Sequence, residues 1–284
     1  MFVSDNRLET SKKYFFDRLN HQFSVIALQQ MWKQLICKRF NWSSADFLLN
    51  NNYSLSESDL LYVRDYVIRL TAQEPFQYIL GVTDFFGLEI HCDSSALIPR
   101  PETEELVNWI RSTTLPTSIL DIGTGTGCIS LALKSIFPKA DIEAWDVSPE
   151  ALLLAKRNAD RLDLAVEFKL MDVLEVQKIK NKFDVIVSNP PYIACEERSD
   201  LAKNVIDFEP HVALFVDNED PLLFYKKIAD LAWESLNKGA CLFFETHHKF
   251  HRELFEEMKR RGYIHIELRK DLQGLDRFLK AQKP

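Results

Sequence analysis

Two short motifs, about sixty residues apart, carry residue types suited to a ligand site. Asp121–Gly127 reads Asp-Ile-Gly-Thr-Gly-Thr-Gly, and Ser188–Tyr192 reads Ser-Asn-Pro-Pro-Tyr. Each follows an apolar run that predicts a buried strand, Ser118–Leu120 before the first and Phe183–Val187 before the second. Glycines between a strand and a helix permit a tight turn and let a ligand approach the backbone. The first motif therefore predicts a cofactor cradle, and the second predicts a clamp for a planar amide or amino group.

Acidic residues at successive strand ends complete the predicted cradle. Asp121 can accept a hydrogen bond from a ligand ammonium or order the loop, and Asp146 can take both ribose hydroxyls. Asp172 can accept from an adenine amino group, with Val173 against the ring. These acids could instead merely cap helices, but three at carboxyl ends of strands favour a nucleoside. The predicted cofactor-binding residues are Asp121, Gly123, Thr124, Gly125, Thr126, Gly127, Asp146, Asp172, Val173 and Asn189.

The Asn-Pro-Pro-Tyr segment offers the chemistry of the clamp. The Asn189 side chain has one acceptor and two donors, and the prolines stiffen the turn and leave nearby carbonyls free to accept. Tyr192 can stack on a flat group. Alternatively, the segment simply ends a strand, since Asn-Pro is an ordinary turn dipeptide. The predicted catalytic residues are Asn189, Pro190 and Tyr192, and the predicted substrate-binding residues are Asn189, Pro190, Pro191 and Tyr192.

Cradle and clamp together indicate methyl transfer from S-adenosylmethionine (SAM) to nitrogen, which leaves S-adenosyl-L-homocysteine. An amide nitrogen is a poor nucleophile because its lone pair is delocalised. Hydrogen bonds that draw off both amide protons as charge builds would offset this. The clamp therefore requires no general base with a strongly shifted pKa.

The elements that must position these residues fall into three predicted segments. Residues 1–75 are expected to be helical, since Ser56–Asp59 resembles a capping box and no glycine precedes Gly81. This helical domain is expected to recognise the substrate. Residues 76–97 are expected to be a linker, with a β-hairpin around Asp84–Ile90. Residues 98–284 are expected to form the methyltransferase domain.

Strands and helices alternate in the last segment, which predicts an α/β fold with a doubly wound, mostly parallel sheet. The expected strands are residues 118–122, 141–146, 166–171, 183–188 and 240–245. The expected helices are residues 126–136, 149–161, 221–237 and 249–261. Two closing segments, residues 263–269 and 275–281, are expected to form a hairpin at the sheet edge.

Charge and composition narrow the function classes. The 284 residues carry a net charge of −7, with +1 in residues 1–80 and −8 in the remainder, which disfavours duplex DNA as a substrate. No apolar stretch is long enough to span a bilayer, and the N-terminus lacks a signal peptide's apolar core. Five cysteines without a CxxC pattern favour a reduced, cytoplasmic protein. No metal is expected, because His247 and His251 share a helix face but have no third ligand.

The chain resembles the class I SAM-dependent methyltransferases and, within them, the bacterial peptide chain release factor glutamine methyltransferases of the HemK/PrmC family. Beyond the two motifs, the resemblance rests on Glu74–Gly81, Leu97–Glu104 and Phe208–Pro210. It implies that the substrate is the glutamine of a Gly-Gly-Gln tripeptide in release factors, which act in translation termination. The chain departs from the family pattern at Thr246–His248, where a glycine is usual, and in its closing segment, Asp271–Arg277.

Alternative functions remain open at this level. A ribosomal-protein glutamine or an adenine amino group of DNA could be the methyl acceptor, because DNA adenine methyltransferases share Asn-Pro-Pro-Tyr. A SAM-binding scaffold without chemistry is a third possibility, disfavoured by the intact Asn189 and Tyr192. Release factors are the expected partners, with no direct contact to nucleic acid or membrane.

Overall fold

The computed structural model describes residues 3–217 and 219–284. The helices are α1 Leu8–Leu19, α2 Val25–Phe40, α3 Ser44–Leu49, α4 Glu57–Thr71, α5 Phe76–Leu80, α6 Pro101–Thr113, α7 Cys128–Ile136, α8 Pro149–Leu162, α9 Lys203–Phe208, α10 Leu223–Ser235 and α11 His251–Arg260. The strands are β1 Val82–Phe85, β2 Leu88–His91, β3 Ser118–Ile122, β4 Asp141–Asp146, β5 Glu167–Leu170, β6 Phe183–Ser188, β7 Ile193–Ala194, β8 Phe215–Val216, β9 Leu236–Glu245, β10 Ile264–Lys270 and β11 Asp276–Gln282. The chain divides into two compact units.

The helical unit comprises the chain up to Gly81 together with Lys203–Phe208. Serine side chains cap α2, α3 and α4, and the last two form complete capping boxes with Asp46 and Asp59. The helices pack around an apolar core that includes Phe15 and Trp32. Helix caps and apolar spacing in the sequence therefore account for this bundle.

The helical unit extends to Gly81 and includes α5. Helix α5 was not expected from the sequence. Its Phe76 and Ile79 are buried in the same core as the preceding helices. The helix ends at Gly81, which has a left-handed conformation.

The second unit begins with the expected hairpin. Strands β1 and β2 are antiparallel, and Phe85 pairs with Leu88 across a two-residue turn. Phe86 and Gly87 both have positive φ, at 51° and 77°. A turn with two positive φ values matches the twist of the flanking strands.

A seven-stranded sheet in the order β10-β11-β9-β6-β3-β4-β5 forms the centre of this unit. Strands β9, β6, β3, β4 and β5 are parallel, and the β10–β11 hairpin adds antiparallel strands at one edge. The doubly wound, mostly parallel α/β fold and the closing edge hairpin are thereby confirmed.

Alternation along the strands builds a core on each face of the sheet. In β9, Cys241 and Phe243 contact the side that holds α6 and α7, whereas Leu242 and Phe244 contact the side that holds α10 and α11. Strands buried on both faces explain the continuous apolar runs in the sequence. No helix among the described residues combines the length and apolar character needed to cross a bilayer.

Candidate active site

The two motifs meet because their strands are neighbours. Strands β3 and β6 run parallel, with Ile122 beside Ser188, and the Ser188 hydroxyl donates to the Ile122 carbonyl over 2.7 Å. A Cβ built on Gly123 would lie 3.9 Å from the Asn189 carbonyl oxygen. The order in which strands are added to the sheet reverses here, because β4 lies on one side of β3 and β6 lies on the other. Open α/β sheets bind ligands at such a switch point.

A cavity of about 280 Å³ opens at this point. Most residues predicted for the cradle and clamp line it: Gly123, Thr124, Gly125, Thr126, Asp146, Asp172, Val173, Asn189, Pro190 and Pro191. Three predicted residues, Asp121, Gly127 and Tyr192, lie outside its lining. Their positions give each a different structural task.

Asp121 lies beneath the glycine loop and is fully buried. One carboxylate oxygen, Oδ2, accepts from the Thr124 hydroxyl over 2.6 Å and from the Ser130 backbone N–H over 3.2 Å. Oδ1 has no hydrogen-bond partner among the described residues. Burial raises the pKa of Asp121 to about 6, against the lowering effect of these hydrogen bonds. Of its two predicted roles, ordering the loop is the one visible in these contacts.

Gly127 serves packing. It precedes α7 with φ of 82°, and a Cβ there would lie 3.2 Å from both Ala155 and Leu131. That is tighter than ordinary contact, and the left-handed backbone already favours glycine. Gly127 therefore lets the start of α7 approach α8, and it does not face the cavity.

Asp146 connects the second strand end to the glycine loop. Its Oδ2 accepts from the Gly125 N–H over 2.8 Å and its Oδ1 from the Ser148 N–H over 2.9 Å. The cap of α8 is Ser148, whose hydroxyl accepts from the Ala151 N–H over 3.1 Å. Burial raises the pKa of Asp146, an effect opposed by the backbone donors. Asp146 is thus not the helix cap, and its oxygens retain lone pairs toward the cavity.

Asp172 and Val173 follow the third strand. β5 ends at Leu170, so Asp172 lies two residues past the strand rather than at its end. Asp172 is exposed at the cavity, while its Oδ1 accepts from the Leu174 N–H over 2.9 Å. Val173 is buried and lines the same wall. This pair offers an acceptor beside an apolar surface.

The Asn189 side chain is half-buried and lines the cavity. Within the part of the chain that the structure describes, its amide makes no hydrogen bond. Pro190 and Pro191 continue the wall. An amide with free donors and acceptor at a cavity wall is available to a ligand.

A further wall comes from Ser95–Arg100, which sequence reasoning did not assign to the site. Buried Glu209 ties this segment to Pro210, which also lines the cavity. Its carboxylate accepts from an Arg100 guanidinium nitrogen over 2.5 Å and from the Ile98 N–H over 3.3 Å. Leu97–Glu104 and Phe208–Pro210 were among the segments that resemble the family, but nothing in the sequence indicated that they contact each other.

No cluster of three or more His, Cys, Asp or Glu suited to a metal ion occurs among residues 3–217 and 219–284. His251, whose spacing from His247 suggested a shared helix face, instead places its Nε2 3.0 Å from the Phe278 carbonyl oxygen.

Comparison with known protein families gives two matches. The family described as "Methyltransferase small domain" matches residues 101–211, and the family described as "PrmC N-terminal domain" matches residues 29–81. The first range contains both site motifs, and the second lies within the helical unit.

Solved structures share the fold at low identity. A methyltransferase from Pyrococcus furiosus superposes with a TM-score of 0.52 and 19% identity, over 78% of this chain and 97% of that one. A Thermus thermophilus 16S rRNA methyltransferase in complex with AdoMet and guanosine gives 0.50 and 18%, over 72% and 50%.

Three curated relatives, each named release factor glutamine methyltransferase, match most of the chain. The Flavobacterium psychrophilum protein is 41% identical, over 83% of this chain and 85% of its own length. The Bacteroides thetaiotaomicron protein is 38% identical, over 88% and 90%. The Streptococcus pneumoniae protein is 42% identical, over 74% and 75%. The chain therefore belongs to the release factor glutamine methyltransferase family, and its two site motifs lie side by side at the switch point of the sheet.

Proposed function

We propose that this enzyme transfers a methyl group from SAM to the side-chain amide nitrogen of the Gly-Gly-Gln glutamine in peptide chain release factors. The relatives' shared name supports the substrate. The observation that carries the proposal is one cavity with the glycine loop on one wall and the unpartnered Asn189 amide on another. Release factors act on ribosomes, so the cytoplasm is the proposed location.

The residues at the cavity fit SAM. Its sulfonium and ammonium groups are cationic, and the lining supplies the carboxylates of Asp146 and Asp172, with the unpartnered Oδ1 of Asp121 beneath the loop. Its one carboxylate matches one basic side chain among the lining residues, Arg100. Asp146 would hold the ribose, and Asp172 with Val173 would hold the adenine.

The clamp residues would hold the acceptor. Bound SAM supplies an electrophilic methyl group on a sulfonium. The Asn189 side-chain oxygen and the Pro190 carbonyl would each accept one proton of the glutamine amide, leaving its nitrogen directed at the cradle. As the N–CH₃ bond forms and the S–CH₃ bond breaks, positive charge that develops on this nitrogen would be stabilised by the two acceptors, just as an oxyanion hole stabilises negative charge. The nitrogen would then lose one of its two protons to solvent, giving the N-methyl amide. Fixed orientation supplies a further part of the rate.

Mass spectrometry tests the reaction directly. Intact release factor, incubated with the enzyme and SAM, should gain one methyl group on the Gly-Gly-Gln glutamine. A release factor with alanine in place of that glutamine is the control. Methylation of ribosomal protein or DNA instead of release factor would overturn the proposal in favour of the other acceptors.

The helical unit is proposed to recognise the protein substrate. The methyltransferase unit already contains both site motifs, so the helices are available for another task. Exposed apolar side chains on the unit, such as Leu48 at 68% and Leu49 at 83% exposure, support a protein contact. Binding energy from parts of a substrate remote from the reacting amide can raise catalytic efficiency.

A further inference from the structure

One wall of the cavity is a short segment, Ser95–Arg100, that leads into α6. Ala96 of this segment is buried in a small apolar cluster with Ala151 and Leu154 of α8. A Cβ built on Gly125 of the glycine loop would lie 3.9 Å from the Ala96 Cβ, which is ordinary contact distance. The segment therefore packs against the loop that is predicted to hold SAM.

Arg100 ends this segment and is the one basic residue among the described residues that line the cavity. Its Nη2 donates to Glu209 Oε1 over 2.5 Å, and its side chain is 34% exposed. A guanidinium has five N–H donors arranged in a planar fork, so one such bond does not exhaust them. The guanidinium can therefore be held by Glu209 on one side and meet an anion on another.

Glu209 acts only through the groups that it binds. Its side chain is 1% exposed and does not line the cavity, so a ligand cannot reach it. Its second oxygen, Oε2, accepts from the Ile98 backbone N–H over 3.3 Å. Because a buried carboxylate is costly without partners, the fold has to keep both contacts. Glu209 thereby fixes the guanidinium of Arg100 and the backbone two residues before it.

The charges of the lining indicate which ligand group Arg100 suits. SAM carries one anionic group, the carboxylate of its methionine moiety, whereas a glutamine amide is neutral. The other charged residues of the lining, Asp146 and Asp172, are acidic and would repel a carboxylate. A planar guanidinium, by contrast, matches the two oxygens of a carboxylate.

We propose that Arg100 binds the carboxylate of SAM and that Glu209 is the positioning residue that holds Arg100 for this contact. This inference rests on the proposed function for the presence of SAM in the cavity, but not for the identity of the methyl acceptor. The pair makes the site selective for a cofactor with an intact carboxylate. Glu209 contributes to that selectivity without touching SAM.

Decarboxylated SAM, which lacks only the carboxylate, is the probe for this contact. In calorimetry the parent should bind SAM about 10–100-fold more tightly than decarboxylated SAM, the usual contribution of a charge-assisted hydrogen bond. Arg100→Met should lose this preference, because its SAM affinity falls while its affinity for decarboxylated SAM stays at the parent value. Arg100→Lys keeps the charge without the planar fork and should show an intermediate preference.

Arg111→Met is the matched control, because Arg111 is exposed in the last turn of the same helix, α6. It should bind SAM and decarboxylated SAM as the parent does. Urea unfolding of each variant without ligand measures changes in stability separately from changes in affinity. A variant that folds as the parent does and loses affinity for SAM alone has lost a contact with the carboxylate.

Glu209→Gln tests the positioning role. Glutamine keeps the size of the side chain but has one acceptor oxygen in place of two, so it cannot hold both Arg100 and the Ile98 N–H. The variant should bind SAM about 10-fold more weakly and bind decarboxylated SAM as the parent does. In the Arg100→Met background the same substitution should cause little further loss, because Glu209 acts through Arg100.

Contrary results are distinct. Equal losses for both ligands in Arg100→Met would show that Arg100 serves only the cavity wall, and full SAM affinity would place the carboxylate on other donors, such as the glycine-loop N–H groups. Either result overturns the contact. Losses that add in the double variant would overturn the positioning role of Glu209. A parent that binds SAM but does not methylate release factor would overturn the proposed function and leave this inference standing.

Discussion

Asn189 is the residue on which the clamp depends most directly. Replacement by alanine removes the proposed acceptor for an amide proton, so methyl transfer should fall by a factor corresponding to roughly 3–4 kcal/mol, by analogy with oxyanion-hole deletions. SAM affinity should change little. A tritium-transfer assay and calorimetry measure the two quantities. Asn108→Ala, at an exposed position of α6, is the control, and near-normal turnover of Asn189→Ala would exclude the proposed role.

Asp146 and Ser148 separate cofactor binding from helix capping. Asp146→Ala should weaken SAM binding about 10–100-fold, because a charge-assisted contact contributes about 1.5–3 kcal/mol. Ser148→Ala removes the α8 cap and should lower the free energy of unfolding by about 1 kcal/mol, with much less effect on the SAM dissociation constant. Calorimetry and urea unfolding distinguish the two. Equal SAM affinity in Asp146→Ala and the parent would assign Asp146 to loop structure alone.

Asp121 should make stability depend on pH. Its pKa is about 6 in the folded protein and 3.8 in the reference state, so between these values the folded state binds more protons than the unfolded state. The contribution of Asp121 therefore stabilises the protein at low pH and is lost as pH rises through about 6. The full change is about 3 kcal/mol.

Urea unfolding of the parent and of Asp121→Asn, from pH 4 to pH 7.5, measures this contribution. The free energy of unfolding of the parent, relative to the variant, should decrease as pH rises across this window. A difference that increases with pH would mean that the folded pKa of Asp121 is lowered instead. Bound SAM, a cation, should reduce the dependence by favouring the ionised carboxylate.

Single elements of the sheet were largely predictable from sequence, because strands buried on both faces are continuous apolar runs. The bounds of β3, β4 and β6 agree with the expected residues. Strand β9 begins earlier than expected, at Leu236, and α7 begins at Cys128, because Gly127 forms its cap. Strand and helix ends depend on caps and neighbouring strands, which periodicity does not reveal.

The contacts that shape the site could not be predicted in the same way, because they join segments distant in sequence. Glu209 accepts a hydrogen bond from the guanidinium of Arg100, 109 residues before it in the chain. A single sequence presents both of these residues as ordinary surface charges. Only the packing of loops at the carboxyl ends of the strands brings them together.

Asn158 of α8 makes hydrogen bonds that join elements distant in sequence. Its amide accepts from the His91 N–H over 2.9 Å and donates to the carbonyls of His91 and Thr126, over 3.0 and 2.9 Å. It thereby joins the hairpin, α8 and the glycine loop. Asn158→Ala leaves buried backbone groups unsatisfied and should lower the free energy of unfolding by about 1–3 kcal/mol.

Chemical denaturation measures this effect, with Asn108→Ala again as the exposed control, expected within about 0.5 kcal/mol of the parent. Because Thr126 lies in the cradle, SAM affinity should also fall in Asn158→Ala. A variant as stable as the parent would show that the three hydrogen bonds are replaced by solvent.

At the scale of the whole molecule, the charge is divided between the two parts of the chain, with +1 in residues 1–80 and −8 in the rest. Recognition by the near-neutral helical unit therefore has to depend mainly on apolar and polar contacts rather than long-range attraction. Helix α3 is a natural candidate, because it buries no residue and exposes Leu48 and Leu49.

Substitution of both leucines by glutamine should raise KM for intact release factor at least about 10-fold, because 10-fold corresponds to about 1.4 kcal/mol and burying one leucine contributes up to about 1.5–3 kcal/mol. Turnover of a short Gly-Gly-Gln peptide should not change, because the peptide occupies the clamp alone. Leu115→Gln, a 90% exposed leucine of the methyltransferase unit, is the matched control. If the double variant treats intact release factor as the parent does, α3 is not the recognition surface. If peptide and intact factor lose turnover equally, the leucines affect the enzyme's structure rather than recognition.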